Sequence, residues 1–280
     1  SSGIFTNFII ILFLINTKNF YRFKLFFNIA IDITLNLWII DSHRQSPISI
    51  THLENKKMER LGESSGGYGL GMDPYGRFYE THNLEHISHL VFPDRYINNK
   101  PLLKPHTLSN ISDHEENGLA RVYPIGEQES RVNHPEQSGY FSGACGISYY
   151  GDNELGEKYK GTIWVADVVL NLIHADKIEQ KESSVYKAKR LIENKEILAS
   201  DNRSFRPVNT LMGPDGSVYI VDMHRKVIEH PEWIPDEIEK NLINSGQVSL
   251  LNNELKCCSI NPKAKLNSPL NLFNISAGTP

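Results

Sequence analysis

Three histidines, His82, His86 and His89, stand four and three residues apart. On a helix that spacing would put three imidazoles on one face, and three imidazoles could hold a zinc ion. The stretch around them, HNLEHISHLVFPDRY, has no clear helix start, and a fourth ligand is not in view. The expected role of these histidines is therefore hydrogen bonding to neighbouring loops, and no metal is assigned. Cys145, in YFSGACGISYY, is the other reactive type. A catalytic thiol needs a base or a positive neighbour. None is assignable here, so a small buried core thiol is the expected reading. His114-Glu115-Glu116 lacks the second histidine of a metalloprotease helix. The glycines of Gly66-Gly67-Tyr68-Gly69-Leu70-Gly71 are spaced like a nucleotide loop, but no helix follows them. Any chemistry must then come from residues that the fold brings together.

The element that recurs is a tight turn feeding a strand. Gly213-Pro214-Asp215-Gly216 is followed by Ser217-Val218-Tyr219-Ile220-Val221-Asp222, β-branched and aromatic as a buried strand demands. Asn36-Leu37-Trp38-Ile39-Ile40-Asp41, Gly161-Thr162-Ile163-Trp164-Val165-Ala166-Asp167 and Asp73-Pro74-Tyr75-Gly76-Arg77-Phe78-Tyr79 repeat the pattern. The aromatic anchors Trp38, Tyr79, Trp164 and Tyr219 are separated by 41, 85 and 55 residues. The middle interval is two repeats of about 42, or one repeat with a long insertion. A period of 40–50 residues with strands in each unit is the mark of propeller blades. The fold class expected is all-β: a β-propeller forming an incomplete ring, with about four to five blades visible and long loop insertions.

The 280 residues are enough to bury a sizeable core. Twenty-nine basic and 33 acidic residues leave a net charge of −4, and no general field to attract nucleic acid. Three cysteines, two of them adjacent as Cys257-Cys258, make no disulfide framework and no haem-attachment sequence. Residues 1–31 hold an apolar segment, a signal or anchor remnant or a strand or two; 4–16 are too short to span a bilayer as a helix. Residues 32–251 carry the blades. Residues 252–280, rich in Asn, Ser and Pro, read as a poorly ordered tail. Ala120–Ile125 is expected to be a strand within a long excursion, and Asp236–Asn244 a short helix. Trp233 should be buried in an ordered loop pinned by Pro231 and Pro235.

Aligning the turns makes Gly69, Cys145 and Asn209 equivalent, and likewise Ser142 and Arg206. In a propeller these positions begin innermost strands at the axial mouth, where ligands bind. Glycines there let the innermost strand approach the axis.

The segments YGLGMDPYGRFYETHN, FPDRY, RVYPI, SGACGISYYGD, YKGTIWVAD, EILASDNRSFRPVN and GPDGSVYIVDMHRKVIEHPEWIP occur in this order over residues 66–250. Together they resemble bacterial membrane-bound or pyrroloquinoline-quinone-dependent sugar dehydrogenase-like β-propellers, a type often fused to a c-type cytochrome domain. The chain looks like the later blades of such a protein. The blades that carry the catalytic histidine in related sugar dehydrogenases are not visible in it.

The resemblance implies a propeller module of an extracytoplasmic quinone-dependent sugar or alcohol dehydrogenase, periplasmic or membrane-associated. Pyrroloquinoline quinone and Ca²⁺ would be its cofactors, with no haem in this chain. A sugar or alcohol would be its small-molecule partner, a c-type cytochrome domain its electron acceptor. Arg206 would pair with a quinone carboxylate, since a guanidinium fork fits that group; its alternative is an ion pair with Asp201, Asp215 or Asp222. Asn209 would bind a hydroxyl or offer a carbonyl to Ca²⁺, with Ser142 and Cys145 beside it. His224 is the residue to act as base. The competing expectation is a propeller that binds or scaffolds without chemistry of its own, because fold does not dictate function.

Overall fold

Each repeated W/Y-φ-φ segment is the second strand of an antiparallel sheet. A computed structural model describes residues 27–31, 37–41, 48–52, 57–97, 106–113, 115, 117–126, 139–183, 185–225 and 256–260. The first sheet runs β1 (Phe27–Ile31), β2 (Leu37–Asp41), β3 (Ile48–His52) and β4 (Lys57–Gly62). The second runs β5 (Leu70–Met72), β6 (Phe78–Glu80), β7 (Ser88–Leu90) and β8 (Leu108–Asn110). The third runs β9 (Ala144–Tyr150), β10 (Thr162–Asp167), β11 (Leu172–Gln180) and β12 (Tyr186–Arg190), with β13 (Leu198–Ala199) also paired to β11. The fourth holds β14 (Pro207–Met212), β15 (Val218–Asp222) and β16 (Lys256–Ile260). Trp38, Tyr79, Trp164 and Tyr219 thus sit on the second strands of four separate sheets.

The first strands pack in series, β1 against β5, β5 against β9 and β9 against β14. Consecutive sheets meeting through their innermost strands, each a meander outward, make the molecule a β-propeller. The second and third sheets are consecutive, so the 85-residue spacing between Tyr79 and Trp164 reflects one repeat with a long insertion.

β10 shows why its middle residues, Ile163, Trp164, Val165 and Ala166, are all apolar. Strand side chains alternate between faces. Ile163 and Val165 pack with Tyr79, Ile87 and Ile111 of the second sheet's side. Trp164 and Ala166 pack with Phe205, Val218 and Ile220 of the fourth. Both faces of the strand are core, as a blade between two blades requires.

The Asp that ends the repeat closes the third and fourth blades. Asp167 Oδ1 accepts the backbone N–H groups of Val169 and Leu170 at 2.8 and 2.9 Å, and Oδ2 those of Ser142 and Gly143 at 3.1 Å each. Asp222 Oδ1 accepts those of Arg206 and His224 at 2.7 and 2.8 Å. A carboxylate here shapes the turn after the second strand and ties it to the start of the first.

Glycine lets the innermost strands meet closely. A Cβ at Gly69 would lie 2.1 Å from the Cys145 carbonyl oxygen, and one at Gly146 would lie 2.3 Å from the Asn209 Cα.

Several local expectations are corrected. Ala120–Ile125 is not a strand; it contributes a single bridge, Arg121 to Tyr140, because Pro124 removes a ladder donor. The histidines of HNLEHISH are not on a helix: His89 is in β7, and His82 and His86 precede it in the β6–β7 connection. At the N-terminal side β1 falls within residues 1–31, where a strand or two is one of the expectations, and at the other side a strand falls within residues 252–280. β1 begins at Phe27, and the short run Lys-Cys-Cys-Ser-Ile at 256–260 adds β16 to the edge of β15. Trp233 and its loop, the expected helix 236–244, and the apolar segment 4–16 lie outside the described residues. In FPDRY, Asp94 pairs with Arg60 of β4 at 2.6 Å and Arg95 with Glu59 at 3.3 Å, so this motif joins two blades.

Candidate functional site

Ser142, Cys145 and Arg206 are held around one turn, residues 167–170. Ser142 donates its N–H to Asp167. The Cys145 thiol lies 3.3 Å from the Ala166 carbonyl and 3.5 Å from that of Pro207. Burial pushes this thiol up to about 12, with the Asp167 charge adding to the effect. It is therefore a protonated core thiol rather than a nucleophile. Asn209 lies against Gly146, and its Oδ1 accepts the Thr210 N–H at 2.9 Å. The Ser142 hydroxyl oxygen is buried and has no hydrogen-bond partner among the described residues.

Arg206 is buried, and its guanidinium points back into the protein. Nε donates to the Arg225 carbonyl at 2.9 Å, and Nη1 donates to the carbonyls of Val168 at 3.2 Å and Val169 at 2.9 Å. A bidentate carboxylate contact needs two adjacent N–H groups, from Nε and Nη2 or from Nη1 and Nη2. Both faces are already engaged through Nε and Nη1. Arg206 clamps the third blade to the fourth, and it does not offer its fork to a quinone carboxylate. Ca²⁺ prefers six to eight oxygen ligands, while this group offers one amide oxygen already bonded, one hydroxyl and one thiol. These four residues do not fit pyrroloquinoline quinone with Ca²⁺.

His224 stands at the same end of the fourth blade. Its φ of 50° turns the chain sharply after β15. Its Nδ1 lies 3.1 Å from Asp222 Oδ2, and its side chain is 27% exposed. The Asp222 carboxylate thereby orients a part-exposed imidazole. Asp222 binds the Arg206 backbone through its other oxygen, so His224 and Arg206 share one anchor.

A second constellation lies between the second and third blades. His86 Nε2 is 2.7 Å from Asp176 Oδ2, and His174 Nε2 is 2.9 Å from Asp176 Oδ1. His174 Nδ1 is 2.7 Å from Glu196 Oε2, and Arg190 donates to Glu196 Oε1 at 2.8 Å. The Tyr123 N–H also donates to that carboxylate at 2.9 Å. His86, His174, Asp176 and Glu196 are all buried. Burial alone would lower the His174 pKa, but the Asp176 and Glu196 carboxylates outweigh it and lift it to about 9. Burial works against the charge of Asp176 as well, and His174 and His86 together hold it well below the usual carboxylate range. A cavity of about 190 Å³ opens beside the chain of groups, lined by both histidines, Asp113, Glu115, Arg121 and Lys189 among others.

The profile of a domain of unknown function, DUF7133, matches residues 37–249. The chain belongs to this family. The match takes in the second strands of all four sheets and the residues of both constellations. No curated protein matches the chain. Among solved structures, this DUF7133 member is similar to a glucose dehydrogenase at 12% identity and a TM-score of 0.40, over 70% of this chain and 60% of that one. It is similar to the soluble aldose sugar dehydrogenase of Escherichia coli in its apo form, at 10% identity and a TM-score of 0.38, over 70% and 60% of the two chains. It is also similar to a catalytically inactive virginiamycin B lyase of Staphylococcus aureus with quinupristin, at 11% identity and a TM-score of 0.33, over 83% and 65%. The DUF7133 chain therefore spans about 60% of the length of the sugar dehydrogenases. No helix among the described residues is long and apolar enough to cross a membrane.

Sequence reasoning named one member of the second constellation, His86, and missed the rest. The signal was present in NLIHADKIEQ. His174 and Asp176 are two apart on β11, so they share a face, opposite Ile173 and Ala175 in the other core. A charged pair on one face of an otherwise buried strand needs partners. Those partners, His86 and Glu196, are 90 and 20 residues from Asp176, beyond the reach of spacing rules.

Proposed function

We propose that this DUF7133 chain is a propeller module that binds a small polyhydroxylated molecule, a sugar or an alcohol, at the axial rim where β9 and β14 begin, without chemistry of its own. The observation that carries this reading is the Ser142 hydroxyl, whose oxygen is buried without a hydrogen-bond partner among the described residues. A buried polar atom left unpaired is costly, and a ligand hydroxyl would complete it. The Arg206 guanidinium and the Cys145 thiol hold the blades, which supports binding over catalysis at this rim. The test is calorimetric titration of the whole chain with a panel of monosaccharides and alditols. Saturable binding that weakens about fivefold to tenfold in Ser142→Ala, roughly one hydrogen bond, is the expected result. Absence of binding across the panel, or equal binding by Ser142→Ala, overturns it.

The second reading is the propeller of an extracytoplasmic sugar or alcohol dehydrogenase, dependent on pyrroloquinoline quinone and Ca²⁺ and passing electrons to a c-type cytochrome domain. The observation that favours it is the Asp222-oriented His224, placed as a base would be. The contacts to the quinone and Ca²⁺ would then come from residues other than Ser142, Cys145, Arg206 and Asn209. Sugar-dependent dye reduction that needs both added quinone and Ca²⁺, and is lost in His224→Gln, decides for it. Sugar binding without dye reduction decides for the first reading.

A further inference from the structure

We propose that His86, His174 and Asp176 form a binding site for one divalent transition-metal ion of the zinc type, between the second and third blades. Their ligand atoms all lie within 4.8 Å of one another, and all three residues are buried. Two imidazole nitrogens and one carboxylate are a donor set that zinc accepts with a fourth position left open, and one that Ca²⁺ and Mg²⁺ disfavour.

The surroundings fit the ion as well as the donors do. Metal-bound histidines characteristically direct the second ring nitrogen to a carboxylate, which fixes the tautomer and the ring orientation. His174 does this through Nδ1 and Glu196 at 2.7 Å, leaving Nε2 directed at Asp176. Glu196 is itself fixed by Arg190 and the Tyr123 N–H. The His86 ring is held by stacking on Phe141, with centroids 4.3 Å apart and planes 11° from parallel, and it meets the His174 ring edge-on at 5.2 Å. Both Nε2 atoms now make hydrogen bonds to the two oxygens of one carboxylate. An ion would take the place of the protons in those bonds, with a modest widening of the contacts: the His174 Nε2 proton leaves to solvent while Nδ1 keeps the one it shares with Glu196, and the His86 ring binds as the neutral tautomer with its proton on Nδ1. The cavity of about 190 Å³ reaches both histidines and brings Asp113 and Glu115 to its wall. It gives the ion a route in and room for water or a further carboxylate as the fourth ligand.

The experiment uses the whole chain, stripped with a chelator and dialysed against Zn²⁺ and, separately, Co²⁺. The expected result is one equivalent of either metal and a Co²⁺ visible spectrum of nitrogen and oxygen ligation, without thiolate charge-transfer bands. His86→Gln and His174→Gln should each weaken binding at least a hundredfold, and Glu196→Gln ten- to a hundredfold. Zn²⁺ should raise the thermal midpoint of the wild type and not that of His86→Gln. Should His174→Gln fail to fold, His86→Gln alone decides. Substoichiometric Zn²⁺, undiminished binding by folded His86→Gln, or a thiolate-ligated Co²⁺ spectrum would each overturn the proposal.

Discussion

Thr81 Oγ1 donates a hydrogen bond to the Cys145 carbonyl at 2.6 Å, across 64 residues of sequence. The same oxygen accepts the Gly69 N–H at 2.8 Å. One buried hydroxyl thus joins the innermost strand regions of two blades at the point where Gly69 admits the Cys145 carbonyl. Thr81→Val keeps the shape and strands both backbone groups. It should lower stability by about 1–3 kcal/mol, seen as a fall in the urea midpoint at unchanged slope. Thr81→Ser should restore most of the loss. Equal stability of the Val variant would mean that the two strands do not depend on this bridge.

A second contact tests the packing of the next pair of blades. A Cβ on Gly146 would stand 2.3 Å from the Asn209 Cα and 2.5 Å from the Val208 carbonyl oxygen, and backbone cannot step aside as a side chain can. Gly146→Ala should destabilise by about 3 kcal/mol or more, since overpacking forces the sheets apart. Gly76 is the control: its φ is +78° with open space around it, so Gly76→Ala should cost only about 1–2 kcal/mol of torsional strain. Thermal midpoints of the two variants should rank accordingly. A Gly146→Ala variant as stable as Gly76→Ala would place the blades farther apart than described.

What was legible in the sequence follows from the range of the interactions. The blades were legible because Trp38, Tyr79, Trp164 and Tyr219 repeat a local pattern that needs no knowledge of partners. Asp167 and Asp222 were legible as part of that repeat, although their role as turn carboxylates emerges only from the bonds they accept. The equivalence of Ser142 with Arg206 is reflected in their common tie to those carboxylates. The direction of the Arg206 guanidinium was not legible, because it depends on the carbonyls of Val168, Val169 and Arg225. The His86–Asp176–His174–Glu196 chain was equally out of reach: its members come from two blades and the loop before β13. Pairings set by tertiary approach leave no period in the sequence.

Cys145 gives a chemical test of the rim. Its thiol is buried and its pKa is pushed up to about 12, so almost none is thiolate at pH 8. In a chain with Cys257→Ser and Cys258→Ser, the one remaining thiol should resist an aromatic disulfide reagent in the folded state. It should react stoichiometrically within minutes once urea unfolds the chain. Rapid labelling of the folded chain would show that the β9–β14 contact opens or that the thiol reaches solvent.

His89 predicts the acid side of the stability profile. It is buried on β7, between the rings of Tyr79 and Tyr186 at 5.4 and 5.1 Å, and its Nε2 has no hydrogen-bond partner among the described residues. Burial disfavours the imidazolium and the neighbouring Arg77 charge adds to this, while Asp73 offsets part of it; together they push the pKa down to about 4. The unfolded chain binds the proton near pH 6.5, and the folded chain does not until about pH 4. A depressed pKa contributes stability that is fully present above the unfolded value and is lost as pH falls toward the folded one. The free energy of unfolding should therefore decline between about pH 6.5 and 4. The carboxylates Asp176 and Glu196, also depressed, steepen the decline below about pH 5. A difference measurement isolates His89: urea titrations of wild type and His89→Leu at pH 7.5 and at pH 4.5. The wild type should lose about 2–3 kcal/mol more than the variant over that interval. Parallel losses would mean that His89 takes up its proton in the folded state as readily as in the unfolded one.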